Sequence, residues 1–234
     1  IKQSLAVIAF LITLTACTSE SYDAGDGPNS YLTADLVLLH TSQDKSVRSA
    51  LLDDGTTLQF SNPFAQDWLT RPDSVYRALL YYDKTVAASD AAASNPTATS
   101  IVRARSVSPV SVLRPVEAED METLRTDPVG FESLWLSKNK SYINLSLLLK
   151  SGKTEADDAL HALGIVSHGT TTDADRRRTL HLTLYHDQGG VPAYYTVQQY
   201  VSIPTQLLEK ADTVELTLNT YNGKKVVKVA VSNL

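Results

Sequence analysis

The sequence predicts an all-β protein in two halves, carried behind a short export signal. Three observations predict it. After residue 30 the chain consists of short apolar runs punctuated by turn residues, with no heptads and no repeats of 20–50 residues. A Pro- and acid-rich stretch divides those runs into two groups. A ten-residue apolar run with one polar member, Leu5–Leu14, lies near the N-terminus. The bulk numbers agree: 234 residues, 43% hydrophobic and 20% charged, foldable but acidic, with a net charge of −5. The acidic balance disfavours nucleic acid as a partner, and a single Cys excludes a disulfide framework or a thiolate zinc cluster.

Residues 1–16 read as a lipoprotein signal peptide. Lys2 supplies the positive n-region and Leu5–Leu14 an apolar h-region of ten residues. A membrane span needs about 20 such residues to cross roughly 30 Å of hydrocarbon. Leu14-Thr15-Ala16-Cys17 has the small residues of a bacterial lipobox ahead of the chain's one cysteine. Acylated Cys17 would anchor the protein in a membrane, each buried CH₂ contributing about 0.8 kcal/mol. Residues 17–30, polar with three acids and no base, read as a flexible tether. Glu20 and Asp23 weakly resemble a surface-export signal of some Gram-negative anaerobes, which leaves the membrane face open.

Residues 31–113 form the first β half. Strands are expected over Leu32–Leu39, Val47–Leu52, Thr57–Phe60, Val75–Tyr82 and Ile101–Ser111. Asp53-Asp54-Gly55-Thr56 is a hairpin turn, because Asp-Gly accommodates the positive φ such turns need. The Asp-x-Asp-x-Asp-Gly spacing of a calcium loop is absent there. Val75, Arg77, Leu79 and Tyr81 share one side of their strand. In the last run Val102, Ala104, Ser106 and Ser108 share a face. Ala87–Ser100, small and polar, reads as a long exposed loop.

Residues 114–128 read as a linker, with Pro and acids at both ends, a net charge of −3 and room for a short helix at Glu117–Leu124. Residues 129–234 form the second half. Its strands are expected over Gly130–Leu136, Tyr142–Leu149, Leu163–Ser167, Thr179–His186, Tyr194–Ile203, Val214–Thr220 and Lys225–Ser232. Seven short strands in about one hundred residues fit a β-sandwich. Glu155–Ala162 has room for a turn or two of helix. Gly189-Gly190 and Asn222-Gly223 read as hairpin turns. Leu180, Leu182 and Leu184 alternate with polar residues, so one face is buried and one wet.

Catalytic and metal-binding patterns are missing from the sequence: no Gly-x-Ser-x-Gly elbow, no His-Glu-x-x-His and no phosphate-binding glycine loop. The expectation is no catalytic residue, no metal and no cofactor. His161, His168, His181 and His186 read as surface or turn residues, and the odd separation of His181 and His186 puts them on opposite strand faces. Arg176-Arg177-Arg178 reads as a solvated loop rather than an anion site. Tyrosine is over-used, with eleven Tyr against four Phe and two Trp. The candidate contact residues are Tyr195, Tyr200, Trp68 and Trp135, since exposed aromatic rings suit recognition of protein or sugar.

Four passages together resemble the NigD-like lipoproteins, small envelope proteins of Gram-negative anaerobes. They are Leu14–Cys17, Arg48–Thr57, Asp127–Leu136, and the pair Leu180–Asp187 with Tyr195–Ser202. The resemblance covers most of residues 17–232. It implies an N-terminal OB-like barrel followed by a C-terminal immunoglobulin-like β-sandwich. It implies no established activity and no catalytic residues, only a suggested role in bacteriocin immunity. The long Ala/Ser stretch at Ala87–Ser100 departs from the family pattern. With seven bases and eight acids in residues 31–113, the barrel lacks the charge for nucleic acid. The expected protein is a lipid-anchored, non-enzymatic interaction module of the outer membrane, meeting an envelope protein or a glycan. The alternative is a carbohydrate-binding accessory lipoprotein.

Overall fold

The computed structural model describes residues 32–84, 100–153 and 160–231. The signal peptide, Cys17 and the tether lie outside the described residues. So do nearly all of Ala87–Ser100 and most of Glu155–Ala162.

Five strands close a barrel: β1 (Leu32–Thr41), β2 (Val47–Leu52), β3 (Thr57–Phe64), β4 (Val75–Lys84) and β5 (Ser100–Pro109), in the order β1-β2-β3-β5-β4. β4 returns to β1 in a nine-residue antiparallel register, from Leu32 opposite Asp83 to His40 opposite Val75. The β2–β3 turn has Gly55 at φ 91°, and the Asp54 carboxylate accepts the Thr56 amide at 2.9 Å. This is the OB-like barrel, closed so that no edge is left open. Val37, Leu39, Ala78, Leu80 and Tyr82 point inward. Val75, Arg77, Leu79 and Tyr81 therefore point outward, where period-2 alternation puts them. In β5 the inward face does not continue from Ala104 to Ser106. The register slips opposite Tyr81 and Tyr82, and Val107 packs on the core instead.

The remaining strands form two sheets. One is five-stranded, in the order β14-β13-β11-β10-β7; the other is four-stranded, in the order β6-β12-β9-β8. Their ranges are β6 (Ser111–Val112), β7 (Pro115–Glu117), β8 (Gly130–Leu136), β9 (Tyr142–Ser151) and β10 (Ala162–Thr172). The rest are β11 (Arg178–Asp187), β12 (Tyr195–Pro204), β13 (Thr213–Thr220) and β14 (Gly223–Ala230). Leu145 and Leu147 of one sheet meet Leu182, Leu184 and Leu216 of the other in a single core. A side chain of this kind contributes about 1.5–3 kcal/mol when fully buried. At the open edge β14 presents Lys224, Lys225 and Lys228, charges that discourage pairing with another sheet.

Two sequence readings change here. Residues 114–128 are built into the sandwich. Pro115–Glu117 pairs in parallel with β10, and the Asp127 amide donates to the His186 carbonyl at 2.9 Å. A three-residue edge strand is too short to show alternation, and its partner lies some fifty positions away. Only a 3-10 turn, Ala118–Asp120, stands where a short helix had room. Gly189-Gly190 is not a hairpin turn, because β11 and β12 belong to different sheets. The turn carries the chain across the sandwich with both glycines at positive φ. Asn222-Gly223 does join a hairpin, with Gly223 at φ 101° opposite Thr220.

Barrel and sandwich belong to one compact unit. The central strand β9 shows why. Ile143, Leu145 and Leu147 face the sandwich core, yet Asn144 and Ser146 on the opposite face are buried as well. The barrel covers that second face.

Candidate functional site

The seam is organised by Arg77, whose side chain is 1% exposed. It leaves the outer surface of β4 and reaches the sandwich. Nη1 and Nη2 donate to the two Asp53 carboxylate oxygens at 2.6 and 2.7 Å. Nη2 also donates to Asn144 Oδ1 and Nε to Ser202 Oγ, each at 3.1 Å. Asn144 Nδ2 donates to Asp53 at 2.9 Å, and Ser202 Oγ donates to Asn144 Oδ1 at 2.8 Å. The guanidinium lies 4.3 Å from the centre of the Tyr142 ring. A buried cation is tolerated because every face of it is matched, with the planar fork meeting a carboxylate edge-on.

Beside this bridge, barrel and sandwich enclose a cleft of about 340 Å³. Leu36, Leu79 and Tyr81 form the barrel wall; Glu132, Trp135, Gln198 and Tyr200 stand on the sheet wall. Ser133, Ser146 and Tyr200 lie side by side across the sheet. Trp135 meets Tyr200 edge to face, with ring centres 6.5 Å apart at 83°. Glu132 is placed by a β-bulge. The register slips between Phe131 and Ser133, so Glu132 and Ser133 both leave the core while Phe131 and Leu134 enter it. Ser146 Oγ and Gln198 Nε2 then donate to Glu132 Oε2, each at 2.5 Å. Behind the barrel wall, on its inward face, the Tyr82 hydroxyl donates to Asp35 at 2.8 Å. Burial and the Asp35 carboxylate push the Tyr82 phenol well above its ordinary range, so it stays protonated.

Of the candidate contact residues, Trp135 and Tyr200 come together in the cleft. Trp68 packs on the barrel against Tyr76, with centres 5.8 Å apart, and does not line the cleft. Tyr195 is 49% exposed and, five residues from Tyr200, faces the other way along β12. Arg77, Asp53, Glu132 and Gln198 escape sequence reasoning. The one available signal was Arg77 alternating with Leu79 and Tyr81, a charge in an otherwise apolar row.

The histidines divide. His168 and His181 hydrogen-bond to the side chains of Thr183 and Thr171, both in part-exposed settings. His186 instead is 1% exposed on the Leu180–Leu184 face, which corrects its reading as a turn residue. Its Nδ1 donates to the Asp127 carbonyl, and its Nε2 accepts His161 Nδ1, each at 2.9 Å. Burial, then the neighbouring His186, holds His161 below its ordinary pKa. Among the described residues no three His, Cys, Asp or Glu converge as metal ligands.

The comparisons agree with this architecture. Residues 112–231 match the model of the NigD-like C-terminal beta sandwich domain. The chain belongs to the NigD-like family. The matched stretch opens at β6, where the sandwich itself begins. The full two-part fold recurs in solved structures of low sequence identity. A NigD-like immunity protein from Bacteroides caccae is 22% identical with a TM-score of 0.62, aligned over 85% of this chain and 92% of that one. A provisionally named lipoprotein from Bacteroides fragilis is 15% identical with a TM-score of 0.59, over 86% and 98%. No curated protein matches the sequence. Among the described residues no helix is long and apolar enough to cross a membrane.

Proposed function

We propose that this NigD-like chain is a lipid-anchored outer-membrane protein of a Gram-negative bacterium that acts by recognition rather than catalysis, in an immunity-type role. One observation carries the recognition reading: a ready-formed aromatic and carboxylate cleft whose two walls are held by the buried Arg77 bridge. Such a site binds without paying to organise itself. The anchor reading is supported by Leu14–Cys17 and by the name of the Bacteroides fragilis relative; the immunity reading, by that of the Bacteroides caccae protein. The second reading, a carbohydrate-binding accessory lipoprotein, is favoured by Trp135 and Tyr200 meeting on one wall. Cys17→Ser tests the anchor. The expected outcome is release from the membrane fraction or an uncleaved precursor; a variant still in the membrane as mature protein would refute it. Capture from native membranes with wild type and Tyr200→Ala tests recognition. A partner held equally by both would place the function away from the cleft.

A further inference from the structure

We infer that the barrel–sandwich cleft is a binding site for an uncharged, hydroxyl-rich ring, that is, a neutral glycan unit. This deepens the recognition reading above and rests on it.

Charge narrows the ligand first. The cleft lining carries the carboxylates of Asp53 and Glu132 and no Lys, Arg or His, while Asp35, opposite the inward Leu80, turns its carboxylate to Tyr82 on the barrel's inner face. Phosphates, sulfates and uronic acids are therefore repelled. Of these two acids Asp53 is neutralised, by Arg77 from behind the wall. Glu132 is held by neutral donors, Ser146 and Gln198. Both contacts fall on Oε2 and leave Oε1 as an oriented acceptor.

Aromatic rings narrow it further. Tyr81 on the barrel and Trp135 with Tyr200 on the sheet give apolar ring surface in the same cleft as that acceptor. A purely apolar ligand would strip water from the Glu132 carboxylate without replacing its hydrogen bonds. A lone cation would use the acid and the rings and leave the Ser133 hydroxyl idle, the Gln198 amide being committed to Glu132 and Ser146. A sugar ring uses all three kinds of group: C–H faces on the aromatic rings, a hydroxyl donating to Glu132, and a hydroxyl oxygen accepting from Ser133. The volume of about 340 Å³ is at the small end of ligand sites, which run from roughly 300 to 1,000 Å³. It suits one or two ring units of a longer chain passing through an open cleft.

The bulge at Glu132 is the local feature that makes the site. In a regular strand Glu132 would share the inward face of Leu134 and Leu136. The slip turns it outward onto Ser146 and Gln198. A bulge that re-aims a carboxylate into a cleft is a placed feature.

The test uses the full chain in detergent carrying Trp68→Phe, which leaves Trp135 as its one tryptophan. The probes are neutral gluco-, manno- and xylo-oligosaccharides, with oligolysine as the cationic control. At least one sugar should change Trp135 fluorescence saturably, with a dissociation constant below about 1 mM. Tyr200→Ala and Glu132→Gln should each weaken that binding at least about tenfold, with unfolding midpoints moving by less than about 4 °C. No response to any sugar overturns the proposal, as does sugar binding unaffected by both variants. Saturable oligolysine binding in place of sugar reassigns the cleft to cations and overturns it too. If no sugar binds while membrane capture still depends on Tyr200, the recognition reading survives and the glycan assignment falls.

Discussion

Arg77 offers the strongest test of how barrel and sandwich are joined. In Arg77→Met the side chain keeps most of its volume but loses four hydrogen bonds, two to Asp53 and one each to Asn144 and Ser202. The Asp53 carboxylate is then left with Asn144 Nδ2 alone, at a position only 20% exposed. Breaking a buried pair from one side costs about 3–5 kcal/mol, because the remaining charge stays desolvated. The residual access of water to Asp53 puts the expected loss near the lower end, about 3 kcal/mol. For a folded unit of this size that corresponds to a fall of about 6–12 °C in the unfolding midpoint. Because the Asn144 and Ser202 contacts cross the seam, the melt should also broaden or split as barrel and sandwich lose their coupling. Pairing the change with Asp53→Asn removes the stranded charge, so the double variant should recover about 1–2 kcal/mol relative to the sum of the singles. Thermal and urea unfolding of the wild type, both singles and the double give the full cycle. A loss below about 1 kcal/mol in Arg77→Met, or strict additivity in the cycle, would refute the claim that this bridge holds the seam.

Two further outcomes follow from other parts of the molecule. His161 has a lowered native pKa, from burial and from His186 beside it, so the unfolded chain binds its proton more readily. Stability should fall as pH drops below about 6.5 and level off below the native pKa. A thermal-melt series from pH 7.5 to 5 should show this in the wild type and flatten in His161→Gln; parallel profiles would count against it. Gly189→Ala should destabilise the sandwich by about 2 kcal/mol, since the residue sits at φ 61° and an added Cβ would lie 2.2 Å from the Leu160 carbonyl oxygen. An unchanged melting midpoint would mean that this loop yields freely.

Several strands were legible because a half-buried strand writes its period into the sequence. Val47–Leu52 and Gly130–Leu136 have the same bounds in sequence and structure. Leu180, Leu182 and Leu184 are buried and their odd-numbered neighbours are not. The turns at Gly55 and Asn222-Gly223 declared themselves through residues that tolerate positive φ. Those are local properties, decided by a few adjacent residues. The two-part OB-like and sandwich architecture entered through the resemblance, whose four passages keep their order along the chain.

What the sequence by itself determined was the β character, the turns at Gly55 and Asn222-Gly223 and the faces of strands such as Leu180–Leu184. Only the tertiary structure decided what each outward face meets. Asn144, Ser146 and Ser202 are polar residues pointing away from the sandwich core, yet the barrel buries all three, and they hydrogen-bond to Arg77 and Glu132. Pro115–Glu117 reads as linker, yet a distant strand supplies its partner. His186 reads as a hairpin polar residue, yet the strand runs on and buries it against His161. Regular alternation would put Glu132 on the inward face with Leu134, and a one-residue bulge re-aims it. Periodicity reports which way a side chain points, and a contact between segments far apart in the chain leaves no periodic trace. A polar group that points away from one core can be buried by a second body, and its composition is the same in either case.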